Sequence, residues 1–256
     1  MRRVRRCTRR TIDDPASLVA GAAQADAVIH LAFNHDFSRF VASCEEDRGV
    51  VGALASALRG SGRPLIVTSG TAIVAGTDGQ AAQEDDAVVT LHPRAASEQA
   101  AAAAAADGVH VSVMRLAQVH DRVAQGLVTP LIARYRELGK CVYIGDGAQR
   151  WPAVPLGDAA RLYRLAVEHG RAGAHYHAVA EEGISLRQIA EVLGQRLGLP
   201  VESVEADQAG SYFGWLSRFA AHDVPASSAQ TQRELAWTPT GPRLLEDLQQ
   251  LVLDPG

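Results

Sequence analysis

Residues 64–76 read PLIVTSGTAIVAG. The stretch opens on Leu65-Ile66-Val67, a continuous apolar run of the kind a strand buried on both faces requires. The run stops at Thr68, Ser69 and Thr71, small hydroxyl residues with Gly70 among them. In a doubly wound α/β domain, ligands sit outside the carboxyl ends of the strands. Hydroxyls at the end of a buried strand therefore stand where a ligand would be. A polar turn that simply closes a core strand is the competing reading.

Working outward from this stretch, Asp13-Asp14-Pro15 signals a helix start, and a short helix follows to about Gln24. Ala27–Phe33 reads as a short apolar strand. A helix from about Ser38 to Arg59 sets Val50, Leu54, Ala57 and Leu58 on one face. On the other side, residues 77–92 are acidic and irregular (Asp78, Glu84, Asp85, Asp86) and read as a loop. Pro93 opens an alanine-rich helix through Ala106, stopped by Asp107-Gly108. Val109–Leu116 is a β-branched strand. Strand, helix, strand, helix, strand implies parallel strands joined by right-handed crossovers.

Beyond Leu116 the spacing predicts a helix from about Gly126 to Leu138, then a strand, Cys141–Ile144, ending in the turn Gly145-Asp146-Gly147. Arg150–Val154 is extended. A helix over Leu156–His169, a strand over His175–Val179 and a helix capped by Ser185 follow. The end is helical and aromatic and closes with a helix over Leu244–Leu253. Two intertwined lobes, 1–120 and 121–256, fit this order better than two separate domains.

The length of 256 residues suits one large α/β domain or a domain with a small appendage. No apolar run approaches the roughly 20 residues of a membrane span. The first ten residues carry six arginines but precede no apolar signal core, so a secretory peptide is not expected. Without those arginines, 19 basic residues face 29 acidic ones, which argues against a nucleic-acid-binding body. Cys7, Cys44 and Cys141 are isolated and odd in number, and read as reduced thiols of a cytoplasmic protein. The nine histidines are scattered. His175 and His177 lack a third ligand, so no metal site is expected.

Several motifs then fall in one order: His30-Leu31-Ala32, Val67-Thr68-Ser69-Gly70-Thr71, a helix, Met114-Arg115-Leu116, Gly145-Asp146-Gly147, and Trp151-Pro152-Ala153-Val154 with Asp158. From about Thr11 onward the chain resembles the extended short-chain dehydrogenases/reductases, the NAD-dependent epimerase/dehydratase type. Arg150–Val154 resembles a sugar-epimerase-like or steroid-dehydrogenase-like subgroup. The resemblance implies a Rossmann-like, doubly wound parallel sheet over 1–120 that binds NAD or NADP, with a small α+β substrate lobe over 121–256. It implies hydride transfer at a hydroxyl or carbonyl carbon of a small molecule, and it leaves a homodimer open. On the same basis Thr71, with Ser69 nearby, stands at the catalytic hydroxyl position. Leu31 and Ala32 would line the adenine side, although simple core packing is the alternative. Leu116, Ala117 and Gln118 would face the nicotinamide end. Arg150 and Trp151 would belong to the substrate lobe, with a core role for Trp151 as the alternative.

Two departures stand out. The family's G-x-x-G-x-x-G turn, whose glycines let backbone approach the pyrophosphate at a helix end, is absent. The chain reads as starting near the family's third strand, so the sheet lacks its first strands and Ala27–Phe33 is left as an apolar edge. An incomplete product, a start placed too late or a decayed paralogue would each account for this. A late start predicts the missing motif in the codons upstream of Met1. The second departure concerns the family's Tyr-x-x-x-Lys pair, whose positions hold Arg94 and Glu98. Arginine stays protonated below about pH 12, so it makes a poor general acid or base. Arg94 and Glu98 would form a salt bridge worth roughly 0.3–0.5 kcal/mol, or Arg94 would bind a substrate carboxylate or phosphate. His92 is a candidate replacement acid and His35-Asp36 a candidate relay. Two functions stay open: an NAD(P)-dependent oxidoreductase or epimerase, and a catalytically inactive ligand- or partner-binding form of the fold.

Overall fold

The computed structural model describes residues 11, 12, 14–74, 76 and 79–252. The arginine-rich tip with Cys7, Asp13 of the expected cap, and the last residue of the expected closing helix lie outside them. The chain divides into two compact units. The first takes Met1–Thr68, Thr90–Val113 and Gly170–Ala174. The second takes Ser69–Val89, Met114–His169 and His175–Gly256.

In the first unit, Asp14 caps α1 (Pro15–Ala22) by accepting from the Ser17 amide, and Pro15 fills the first turn. β1 (Val28–His30) runs parallel to β2 (Leu65–Gly70), with Ile29 opposite Ile66. Between them lies α2 (Phe40–Leu58), and α3 (Ala95–Ala106) leads into β3 (Val111–Leu116). The core gathers Val50, Val51, Leu54 and Leu58 of α2 with Leu65 and Val67 of β2 and Ala101 and Ala104 of α3. Alanines on α3 keep its side chains short against this core.

The main sheet has the strand order β1-β2-β3-β7, with β7 spanning His175–Ala178. Among the described residues β1 is the end strand of this order, and it is three residues long. Ile29 is 40% exposed on it, and Leu31 just beyond is 58% exposed. Short length is one way that natural edges limit pairing with other chains.

The second unit holds two further sheets. β4 (Gln118–His120) pairs parallel with β6 (Arg150–Pro155), and β6 pairs antiparallel with β8 (Glu181–Ser185). β5 (Cys141–Ile144) pairs parallel with β9 (Val201–Val204). Their cover is α4 (Val128–Leu138), α5 (Leu156–His169) and α6 (Leu186–Leu197), followed by the short helices α7 (Ala209–Phe213), α8 (Ser217–Ala220), α9 (Ala229–Leu235) and α10 (Leu244–Gln249). Ser185 caps α6 in a reciprocal box with Gln188. The core joins Tyr135, Trp151, Ile189, Leu193, Phe213, Leu244 and Leu248.

The acidic stretch expected as a plain loop is built into this unit. Val74 bridges Val88, and Ala82 bridges Ala226. Glu84 is fully buried, its Oε1 accepting from the Thr231 amide at 2.7 Å and the Thr231 hydroxyl at 2.6 Å. Its partner lies 147 positions away, so local composition could not reveal it.

The turn after β5 needs its glycines. Gly147 has φ +71, and a Cβ there would stand 2.6 Å from Arg187 Cβ and 2.8 Å from Tyr143 Cδ2. Gly147→Ala is expected to cost at least about 1–2 kcal/mol for the left-handed backbone alone. A urea midpoint unchanged by this substitution would contradict that.

Candidate functional site

The first unit places its densest polar cluster at the carboxyl ends of β1 and β2. Asp47 comes from α2, three residues before Val50, so it lies on the helix's buried stripe. A carboxylate there must find partners. His30, closing β1, meets Asp47 Oδ1 through Nε2 at 2.6 Å. On Oδ2, Asp47 accepts from Ser97 Oγ at 2.5 Å and from Arg94 Nη1 at 2.5 Å. Arg94 Nη1 also meets Ser97 Oγ. Its Nη2 donates to the Thr68 carbonyl at 2.8 Å, and its Cζ lies 4.2 Å from the centre of the Phe33 ring. Burial alone would push the Asp47 carboxyl up. The His30 hydrogen bond, the Arg94 charge and the Ser97 hydroxyl outweigh it and hold Asp47 below the ordinary carboxylate range.

Arg94 reaches the Asp47 carboxylate in this cluster, and Glu98 is buried one turn into α3. Asp47 was absent from the expected site, yet a charged residue inside an apolar helical stripe was its visible signal. Ser97 carried no such signal.

Thr71 does not stand at a rim. It is 3% exposed, and its hydroxyl donates to the Leu116 carbonyl at 3.4 Å within the second unit. Ser69 is buried as well, and its Oγ meets no hydrogen-bond partner among the described residues. Leu31 and Ala32 are exposed just past β1, so they are not simple core. Leu116 and Gln118 are half-buried, and Gln118 Oε1 accepts from the Leu127 amide at 2.8 Å, at the start of α4.

Arg150 is held by Asp223, through Nε to Oδ1 at 3.0 Å and Nη2 to Oδ2 at 2.7 Å, and by the Gly79 carbonyl at 2.8 Å. The hydrogen bond from Arg150 keeps the Asp223 carboxyl low. Trp151 is corrected from substrate surface to core: it is 1% exposed, and its Nε1 donates to the Phe219 carbonyl at 3.3 Å. Asp36, offered as half of a relay with His35, is committed to the Ser38 amide and hydroxyl at 3.0 and 2.6 Å. His92 Nδ1 accepts from the Arg94 amide at 3.2 Å. Burial pushes the Cys44 and Cys141 thiols up to about 11, so neither is a thiolate at neutral pH.

The sequence closes one route to the phenol mechanism. All five tyrosines, at 135, 143, 163, 176 and 212, belong to the second unit. Lys140 is the only lysine, and it pairs with Glu202 at 2.7 Å. The first unit therefore holds neither member of a Tyr-x-x-x-Lys pair.

A nicotinamide dinucleotide fits part of what is present. Leu31 and Ala32 offer an exposed apolar step just past the carboxyl end of a parallel strand, the region where doubly wound folds take ligands. A phosphate cradle of the G-x-x-G-x-x-G form does not occur in the sequence. Among the described residues, no group of three or more His, Cys, Asp or Glu could hold a metal ion, and no helix is long and apolar enough to cross a membrane.

Three comparisons bear on this arrangement. The model of the NAD dependent epimerase/dehydratase family matches residues 2–180. An uncharacterized protein of Schizosaccharomyces pombe is 42% identical over 239 residues, which is 93% of this chain and 81% of its own. Among solved structures, dTDP-glucose 4,6-dehydratase from Streptomyces venezuelae, with NAD bound, aligns with a TM-score of 0.75 at 20% identity over 93% of this chain and 76% of that one. UDP-glucose 4-epimerase from Thermotoga maritima, with UDP-glucose, aligns with a TM-score of 0.73 at 16% identity over 94% and 81%. At these identities the solved structures speak for the fold alone.

Proposed function

Since the chain belongs to the NAD-dependent epimerase/dehydratase family, we propose that it binds NAD or NADP and acts on a hydroxyl or carbonyl carbon of a small molecule. The observation that carries this reading is the family match over residues 2–180, on a chain whose β1, parallel to β2, is followed by exposed Leu31 and Ala32. When bound, the nicotinamide would supply or accept the hydride. Leu31 and Ala32 would pack against the adenine. Ser69, buried with an unspent hydroxyl, is the better candidate than Thr71 to orient a reacting oxygen, because Thr71 already donates to Leu116. Arg94 would not pass the proton: a guanidinium is a poor acid, and this one is engaged by Asp47, Ser97 and Thr68. His92, beside it, is the candidate acid. A cytoplasmic setting and a homodimer complete the proposal.

The Arg94 cluster favours a second reading, in which the fold binds its ligand without redox chemistry. Titration with NADH and NADPH, read by fluorescence transfer from tryptophan, separates the two. Saturable binding supports the first reading, and no binding up to millimolar concentration supports the second. If turnover is detected, it is expected to survive Arg94→Ala. Complete loss of turnover in a folded Arg94→Ala protein would restore a direct chemical role to residue 94.

A further inference from the structure

We draw no further inference here: the strongest candidate, the cleft of about 490 Å³ between α4 and residues 210–216 of the second unit, carries nothing, because its cation Arg134 is held by the Ser211 and Tyr212 carbonyls and by Glu137 and nothing in the structure shows what occupies it.

Discussion

Asp47→Ala is expected to lower the free energy of unfolding by about 3–5 kcal/mol and the melting temperature by on the order of 10 °C. The substitution removes one carboxylate but strands three partners: His30, Ser97 and Arg94, whose side chain is only 13% exposed. An uncompensated buried guanidinium is the costly part. Removing both charges with apolar side chains of similar size, Asp47→Leu with Arg94→Met, should therefore recover much of the loss. A double variant as unstable as Asp47→Ala alone would show that the guanidinium is not what was stranded. The cluster also has a pH signature. The folded state holds the Asp47 carboxyl below its unfolded value of about 3.9. Its contribution is therefore complete above about pH 4 and fades as pH falls through the folded value. Urea midpoints measured from neutral pH down to about pH 2.5 should fall steeply for wild type, and less steeply for Asp47→Ala.

Trp151→Ala is expected to cost about 3–5 kcal/mol as well, in the second unit. The indole is enclosed by the core that includes Tyr135, Phe213 and Leu216, and its N–H is satisfied by the Phe219 carbonyl. Its sequence neighbour makes the control. Arg150 and Asp223 form a part-exposed pair, and Arg150→Ala should cost under about 1 kcal/mol. Equal melting temperatures for the two variants, with only a substrate effect at Trp151, would return the indole to a binding surface.

These contrasts show what a sequence can carry. The apolar runs of β2 and β3 and the Asp14 and Ser185 caps were legible, because each depends on residues within a turn or two of one another, whereas β4, β8 and β9 were not read as strands. The partner of Arg94 was half-legible. Asp47 announced itself as a charge in an apolar stripe, but pairing it with residue 94 needs two helices in register. Glu84 was illegible: it stands in an acidic run, and the Thr231 amide and hydroxyl that its Oε1 accepts from lie far along the chain. Trp151 before a proline fits a pocket wall and a core equally well until its surroundings are known. Thr71 sits at the right place in the motif, yet its hydroxyl turns inward to Leu116, a choice that residue spacing does not encode.

The guanidinium at position 94 has one more implication, for anyone who would convert this protein by design. Writing tyrosine and lysine into positions 94 and 98 would not install a working pair, because Asp47 would lose its counter-charge at the same stroke. Neutralising helix position 47 has to come first, so the path back to a phenol runs through residue 47 and cannot be taken in one step.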